Sequence, residues 1–252
     1  MKFSHLFAAL LSAGVASAQA ADALNLASYQ VSATYALDIF NGTSGGLSGL
    51  EGSAITYDRD RGTLFFVGDE GTGIIEVTRT GQTVSSMTFD WSGTGSTKHD
   101  SEGLTYVGNG QFVVTEERLQ NAYKFSYSAG GTVALGSAAY VSLGPTVGNI
   151  GIEGISYDAR NGSYVAVKQD DPAKLSIYNT LSFSTVAAAD AVPSVEFVGA
   201  SSNSSLFGLD SLSDVQTLGG VDALVGTSAA DNLLVLSLDS RRLIEITRAG
   251  VI

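Results

Sequence analysis

Residues 101–106, SEGLTY, decide how this chain is organised, because the stretch recurs along it. A close copy, IEGISY, occupies residues 152–157, and a looser one, SAITY, occupies residues 53–57 directly after Glu51-Gly52. A degenerate copy, SDVQT, lies at residues 213–217. The copies begin roughly 50 to 60 residues apart, a period typical of blade, solenoid or array architectures. The sequence therefore indicates a repeat protein.

Each copy opens a unit of short apolar runs separated by glycine-rich turns. In the first three units, a turn that contains Asp or Asn and ends in glycine separates the first two runs, which is hairpin chemistry. No segment shows a sustained helical period, so we expect little helix. The predicted strands are residues 54–57, 64–67, 74–77 and 84–89 in the first unit, 104–107, 112–115, 122–127 and 133–141 in the second, and 155–157, 164–167, 175–178 and 195–198 in the third.

The two ends of the repeat are less regular. In the fourth unit, Asp214-Val215 precedes apolar runs at residues 223–225, 233–236 and 243–246, and the chain stops where another strand should begin. Residues 29–40 predict a lone strand, which in a ring of blades commonly completes the last blade. We therefore predict an all-β propeller of four-stranded antiparallel blades, incomplete or open at its end. A β-sandwich is the alternative, and the whole-unit period disfavours it.

The first twenty residues predict an export signal. Lys2 is followed by an apolar run at residues 6–15 and by the small-residue sequence ASAQA at residues 16–20, which suits a signal peptidase. The apolar run is too short to cross about 30 Å of hydrocarbon. We expect cleavage, a periplasmic or extracellular location, and one domain over residues 21–252 without a membrane span.

Composition narrows the classes of partner. The net charge is -12, and removal of Lys2 with the leader would make it more negative. Such a surface repels phosphate backbones, so nucleic acid and anionic lipid are disfavoured, whereas cations are compatible with it. The chain has no cysteine, so its stability must come from burial and backbone pairing rather than disulfides. We expect a monomer.

Four stretches resemble the blades of one family. Residues 47–81, 100–118, 151–174 and 211–250 are similar, in register, to the SdiA-regulated, YjiK-like family of exported bacterial β-propellers. The chain departs from that family by extra residues around 218–231, and we expect it to lack the last blade. The resemblance implies the fold, an exported location and a capacity to bind Ca²⁺. It supplies no reaction.

The carboxylates at the strand starts are the first candidate site. Glu102 and Glu153 occupy equivalent places in the repeat, and Asp214 is displaced from that place by one position. Because the innermost strand of each blade lines a central channel, these side chains should approach one another. Calcium prefers six to eight oxygen ligands and suits such a ring. The alternative is that each carboxylate accepts backbone hydrogen bonds as a structural brace.

A second set of charged residues follows the second strand of each unit. We expect it to line one rim of the disc, where it would extend a metal or substrate site. The alternative is a set of solvated turn residues and ion pairs, since acidic side chains are mostly exposed. The members of this rim set are Asp69, Glu70, Glu116, Glu117, Arg118, Lys168, Asp170, Asp171 and Asp239.

Two residues are candidates for a general base. His99, the only histidine after the leader, precedes Asp100, and Glu116 lies in the rim set. A surface histidine in a polar linker is the alternative for His99. No serine-hydrolase elbow, Walker loop, zinc motif or dinucleotide fingerprint is present. Two hypotheses remain: a binding or envelope-associated module for an unknown small ligand, or a metal-dependent hydrolase of phosphoesters or lactones.

Overall fold

Four small sheets form a ring, which confirms the predicted all-β propeller. The computed structural model describes residues 23–37, 52–69, 71–186, 190–200 and 205–252. Three of the sheets contain four or five strands, and the fourth has three within the described residues. The first strand of each sheet lies beside the first strand of the next, in the order β1, β5, β10 and β14. These four strands surround the channel.

The sheets follow the chain in order as blades 1 to 4. Blade 1 contains β1 (Gly52–Asp58), β2 (Thr63–Gly68), β3 (Gly73–Val77) and β4 (Thr83–Asp90). Blade 2 contains β5 (Ser101–Gly108), β6 (Gln111–Glu116), β7 (Asn121–Ser126) and β9 (Ala139–Ser142), while β8 (Thr132–Ala134) pairs in parallel with β4 of blade 1. Blade 3 contains β10 (Ile152–Asp158), β11 (Ser163–Lys168), β12 (Lys174–Tyr178) and β13 (Val195–Val198); blade 4 contains β14 (Asp214–Thr217), β15 (Leu233–Ser237) and β16 (Arg242–Ile246).

The hydroxyl residue near the end of each repeat copy joins neighbouring blades. Thr105 Oγ1 accepts the backbone N–H of Tyr157 at 3.0 Å, and Ser156 Oγ accepts that of Thr217 at the same distance. Thr56 Oγ1 accepts the N–H of Tyr106 in the same way at 3.1 Å. A buried N–H normally requires an acceptor, and these hydroxyls supply it across each seam.

The glycine of the repeat allows the inner strands to approach closely. A Cβ on Gly103 would lie 3.0 Å from the backbone nitrogen of Ile155 in blade 3. A Cβ on Gly154 would lie 2.5 Å from Asp214 Oδ1 and 2.8 Å from the Cα of that residue in blade 4. The Glu-Gly pair therefore combines a channel-facing side chain with a close inter-blade contact.

Apolar clusters between blades supply most of the burial. Phe65 of blade 1 packs on Phe112 of blade 2 with ring centroids 4.5 Å apart, and both are fully buried. A second cluster joins Leu175 of blade 3 to Val235 of blade 4. Burial of such side chains stabilises the ring by about 1.5–3 kcal/mol each.

Two strand predictions were wrong in detail. Residues 133–141 do not form one strand, because a 3₁₀ turn at Leu135–Ser137 divides them into β8 and β9. Fully buried Leu135 anchors that turn in the core between blades 1 and 2. The run at residues 223–225 is also not a strand. It lies among three 3₁₀ turns, Leu218–Gly220, Asp222–Leu224 and Ser228–Asp231, which accommodate the extra residues of blade 4.

The lead-in segment does not form the predicted strand within its described part. Residues 29–37 have no strand, and residues 38–40 lie outside the described residues. The backbone N–H of Leu24 donates to Glu245 Oε2 in blade 4 at 2.6 Å, whereas Leu37 packs against Phe66 and Ile75 in blade 1. The segment thus contacts both blades at the seam where the ring closes.

In the described part of the chain, no helix is long and apolar enough to cross a membrane.

Candidate functional site

The inner strands begin at a cavity of about 600 Å³ in one mouth of the channel. Ser53, Glu102, Glu153 and Asp214, one residue from each blade, line it together. The sequence prediction had named the last three as candidate metal ligands, and they share this cavity. We call the carboxylates at this end the acidic mouth; they are Asp69, Asp100, Glu102, Glu117, Glu153, Asp214 and, at its exposed edge, Asp239.

A β-bulge positions each of the two glutamates. The pairing of β5 with β6 shifts between Ser101 and Gly103, and that of β10 with β11 shifts between Ile152 and Gly154. Glu102 and Glu153 are the extra residues at these shifts. Bulges re-aim a side chain and are frequent beside functional sites. Blade 1 has the same bulge, but with Ser53 at the equivalent position.

The tightest group of carboxylates lies between blades 1 and 2. One oxygen from each of Asp69, Asp100 and Glu102 lies within 4.8 Å of the others, a spacing that would allow all three to ligate one ion. Glu102 is the only one of the predicted ligands in this group. Glu153 and Asp214 line the cavity from the other two blades. The group that fits a cation is therefore displaced toward one seam of the ring.

Two buried oxygens behind this group lack hydrogen-bond donors. Asp100 and Glu117 are each 1% exposed. Asp100 Oδ2 pairs with Arg118 Nε at 2.7 Å, and Glu117 Oε1 accepts the N–H of Gly151 at 3.0 Å. Asp100 Oδ1 and Glu117 Oε2, by contrast, have no hydrogen-bond partner. Buried carboxylate oxygens normally have a donor or a cation beside them, so the donor set fits a hard cation such as Ca²⁺.

Repulsion and burial raise the proton affinity of most of these acids. Burial, with the charges of Asp100, Asp69 and Glu117, raises the pKa of Glu102 to about 8. Burial and the charges of Glu102 and Glu117 raise the pKa of Glu153 to about 9. Burial raises the pKa of Glu117 and that of Asp214 to about 7. At neutral pH this end of the channel needs protons or a cation for neutralisation.

Asp100 differs from the other acids of this group. Its burial would raise its pKa, but interactions with the neighbouring carboxyl groups of Asp69 and Glu117 and the charge of Arg118 hold that pKa below the usual range. Asp100 therefore stays ionised. Because the groups beside its Oδ1 are other carboxyl groups rather than N–H donors, Asp100 is the strongest candidate ligand of the group.

The two candidate bases lie in different surroundings. Both carboxylate oxygens of buried Glu116 are engaged, since Oε1 accepts from Ser96 Oγ at 2.6 Å and Oε2 accepts the N–H of Leu119 at 2.6 Å. Glu116 therefore braces a loop and a turn. His99 is exposed and its ring is parallel to that of Trp91, with centroids 5.8 Å apart. It lines a neighbouring groove, which also includes Asp69.

The remaining rim residues do not join the acidic mouth. Lys168 is buried, and its Nζ donates to the carbonyl oxygens of Asp170 and, at 3.5 Å, of Asp171. Asp170 Oδ1 accepts the N–H of Asp171 at 2.7 Å, as a turn residue does. Glu70 lies outside the described residues. Lys168 thus holds a loop and lines a separate cavity of about 250 Å³ between blades 2 and 3.

Sequence reasoning did not single out Asp100 as a ligand. The sequence pairs Asp100 with His99 because the two are adjacent, and the third copy of the repeat has Gly151 in the place that Asp100 occupies in the second. The signal was its position directly ahead of the bulge, since Glu51 occupies the same place ahead of Gly52 in the first copy. Glu51 itself lies outside the described residues.

The other mouth of the channel has a different lining. The last repeat residues Tyr57, Tyr106, Tyr157 and Thr217 line a cavity of about 380 Å³ there, together with the hairpin residues Arg59 and Asp60. We call this end the tyrosine mouth. The Tyr106 hydroxyl donates to Asp60 Oδ2, which also accepts the N–H of Asn109 at 3.2 Å. Asp60, the one carboxylate among the described residues that line this end, therefore accepts hydrogen bonds from within the fold.

A family model described as SdiA-regulated matches residues 28–252. The chain belongs to the SdiA-regulated family. The match includes all four blades and most of the lead-in segment, so it covers the strands that position both mouths of the channel.

Proposed function

We propose that this SdiA-regulated propeller is an exported binding module that holds Ca²⁺ in its acidic mouth. The observation that carries the proposal is the pair of buried, donor-free oxygens, Asp100 Oδ1 and Glu117 Oε2, behind a group of three carboxylates spaced for one ion. Asp69, Asp100 and Glu102 would hold the cation. Bound calcium would neutralise the acids and leave coordination positions for ligand oxygens.

The cavity in front of these carboxylates offers room for the ligand. Its walls combine Glu102, Glu153 and Asp214 with apolar Phe66 and Leu236. A small molecule with an oxygen-rich end and an apolar body would match such a lining.

The proposed export is supported by the N-terminal leader alone. The leader consists of Lys2, the apolar run that follows it and the small residues at 16–20, and these residues lie outside the described part of the chain.

Thermal unfolding tests the calcium site. Protein purified with chelator should unfold at a higher temperature when calcium is added, because a ligand of the native state at 100 times its Kd adds about 2.7 kcal/mol. Asp100→Asn should remove most of that increase. Asp190→Asn, at an exposed acid that does not line the cavity, is the matched control and should keep it. A wild-type protein without any response to calcium would refute the proposal.

A metal-dependent hydrolase is the second candidate, and the position of His99 favours it. The groove that His99 lines includes Asp69, one of the three grouped carboxylates, so a base and a cation could serve one substrate. Calcium-dependent turnover of a phosphoester or lactone panel, lost in His99→Asn and in Glu102→Gln, would establish an enzyme. Calcium binding without turnover of any panel member would favour the binding module.

A further inference from the structure

The cavity of the acidic mouth is negatively charged on more than the side that fits calcium. Among the described residues, no lysine, arginine or histidine lines it, and its carboxylates are Asp69, Glu102, Glu153, Asp214 and Asp239. Glu153, Asp214 and Asp239 lie outside the group that is spaced for calcium. These three acids belong to blades 3 and 4, so a calcium ion at the seam of blades 1 and 2 leaves their side of the cavity without a cation.

Glu153 and Asp214 lie close together and lack a positive partner. A Cβ on Gly154, the residue after Glu153, would lie 2.5 Å from Asp214 Oδ1. That oxygen accepts the N–H of Val215 at 2.7 Å, and no ion pair among the described residues includes either carboxylate. Glu117 lies behind Glu153, and its buried Oε2 accepts no N–H. An ammonium group donates three hydrogen bonds and would serve several of these oxygens at once.

The same cavity has an exposed apolar wall. Ile55, Leu236 and Leu238 line it and are 49%, 41% and 74% exposed. A ligand with an apolar body would remove these side chains from water, which is favourable. A small hydrated cation would leave them exposed. The wall therefore selects a positive group that is attached to an apolar body.

We propose that the blade 3 and blade 4 side of the acidic mouth binds an organic cation, that is, an ammonium group on an apolar body. Glu153 and Asp214 accept the ammonium hydrogens in charge-assisted hydrogen bonds, and Asp239 adds negative charge at the exposed edge. The apolar wall covers the body of the ligand. This inference rests on the proposed function as a binding module and names the ligand of that module, but it does not require the calcium ion.

Calorimetric titration of the full chain with 2-phenylethylamine tests the inference. Among the controls, 2-phenylethanol has a similar shape without the charge, 3-phenylpropionate has the opposite charge, and ethylamine lacks the apolar body. The titrations are made in EDTA at about pH 8, where a primary amine is protonated, and in about 0.15 M salt, which screens loose pairing at the surface. We expect 2-phenylethylamine to bind at least about 10-fold more tightly than each control.

Variants connect this preference to the two acids. Glu153→Gln and Asp214→Asn keep the size of each side chain, and each should weaken 2-phenylethylamine about 10-fold while it leaves 2-phenylethanol within about 2-fold. Leu238→Ser, in the apolar wall, should weaken both compounds alike, because both carry the same apolar body. Asp190→Asn, at an exposed acid that does not line the cavity, is the matched control and should bind normally.

A second titration in calcium separates this inference from the calcium site. The preference for the amine should persist there, because the two cations use different carboxylates. Calcium stabilisation together with equal binding of the amine and the alcohol would overturn the organic-cation site and leave the calcium site standing. A preference for the amine in a protein that calcium does not stabilise would support the organic-cation site and count against the calcium site. Amine binding that both Glu153→Gln and Asp214→Asn leave intact, or that calcium abolishes, would also overturn the inference.

Discussion

The two mouths of the channel are built from the same repeat, yet they treat charge in opposite ways. At the tyrosine mouth, Asp60 is the single carboxylate of the lining and receives donors from Tyr106 and Asn109. At the acidic mouth, Asp100 and Glu117 keep buried oxygens without donors, and Glu102 and Glu153 have strongly raised pKa values. This difference between the two ends is the basis of our proposal that the acidic mouth, rather than the tyrosine mouth, binds a ligand.

The largest expected effect tests whether close strand approach holds the acidic mouth together. Gly154→Ala would place a Cβ 2.5 Å from Asp214 Oδ1 and 3.0 Å from the nitrogen of Val215. We expect it to lower the free energy of unfolding by about 3 kcal/mol, the upper part of the range for overpacking. Urea unfolding measures this. Gly148→Ala, where a Cβ would meet nothing within 4 Å, is the control; equal effects would refute the close approach.

The next effect is the pH dependence of the calcium-free protein. The raised pKa values mean that folded Glu102, Glu117, Glu153 and Asp214 retain protons that the unfolded chain releases above about pH 4.5. Stability should therefore fall as pH rises, by about 2 kcal/mol between pH 5 and pH 8 after allowance for solvent screening. Chemical unfolding at several pH values checks the sign. A rise over this range would contradict the unsatisfied charge of the acidic mouth.

A smaller effect concerns the hydroxyl brace that both mouths share. Thr105→Val keeps the shape of the side chain but leaves the buried N–H of Tyr157 without its acceptor. We expect a loss of about 1.5 kcal/mol, within the usual penalty for an unsatisfied buried donor. Thr105→Ser retains the hydroxyl and should recover most of the loss. If serine and valine destabilise equally, the hydrogen bond does not join the blades.

The smallest effect contrasts the two mouths directly. At pH 8 folded Glu153 keeps a proton that the unfolded chain releases, and Glu153→Gln removes the cost of holding it, so the variant should stabilise the calcium-free protein at pH 8 by about 1 kcal/mol. Tyr106→Phe removes the hydrogen bond to Asp60, so it should destabilise by about 1 kcal/mol. Differential scanning calorimetry in EDTA compares the pair. Effects of the same sign would remove the distinction between the mouths.

Much of this fold could be predicted from the repeat. The copies located β1, β5, β10 and β14 and brought Glu102, Glu153 and Asp214 to one cavity, because a period in the sequence fixes equivalent places in successive blades. The bulges could not be predicted, since they depend on register between strands. The displacement toward Asp69 and Asp100 has another cause, because blade 3 has the same bulge but carries Gln169 and Gly151 at the equivalent places.

Local patterns failed where tertiary packing decides the structure. Residues 133–141 look like one strand, but the core burial of Leu135 divides them, and β8 joins blade 1 rather than blade 2. Glu116 and Glu117 are indistinguishable in sequence. Glu116 braces Ser96 and Leu119, whereas Glu117 reaches the acidic mouth, because successive residues point to different sides of the backbone.

The central claim is that carboxylates of successive blades converge to hold one cation at one mouth. Anomalous diffraction from a crystal soaked in terbium, a calcium substitute, tests it most directly. The account predicts an anomalous peak within about 2.6 Å of oxygens from Asp69, Asp100 and Glu102 and none at the tyrosine mouth. A peak only at surface acids such as Asp210, or no peak at the acidic mouth, would contradict it.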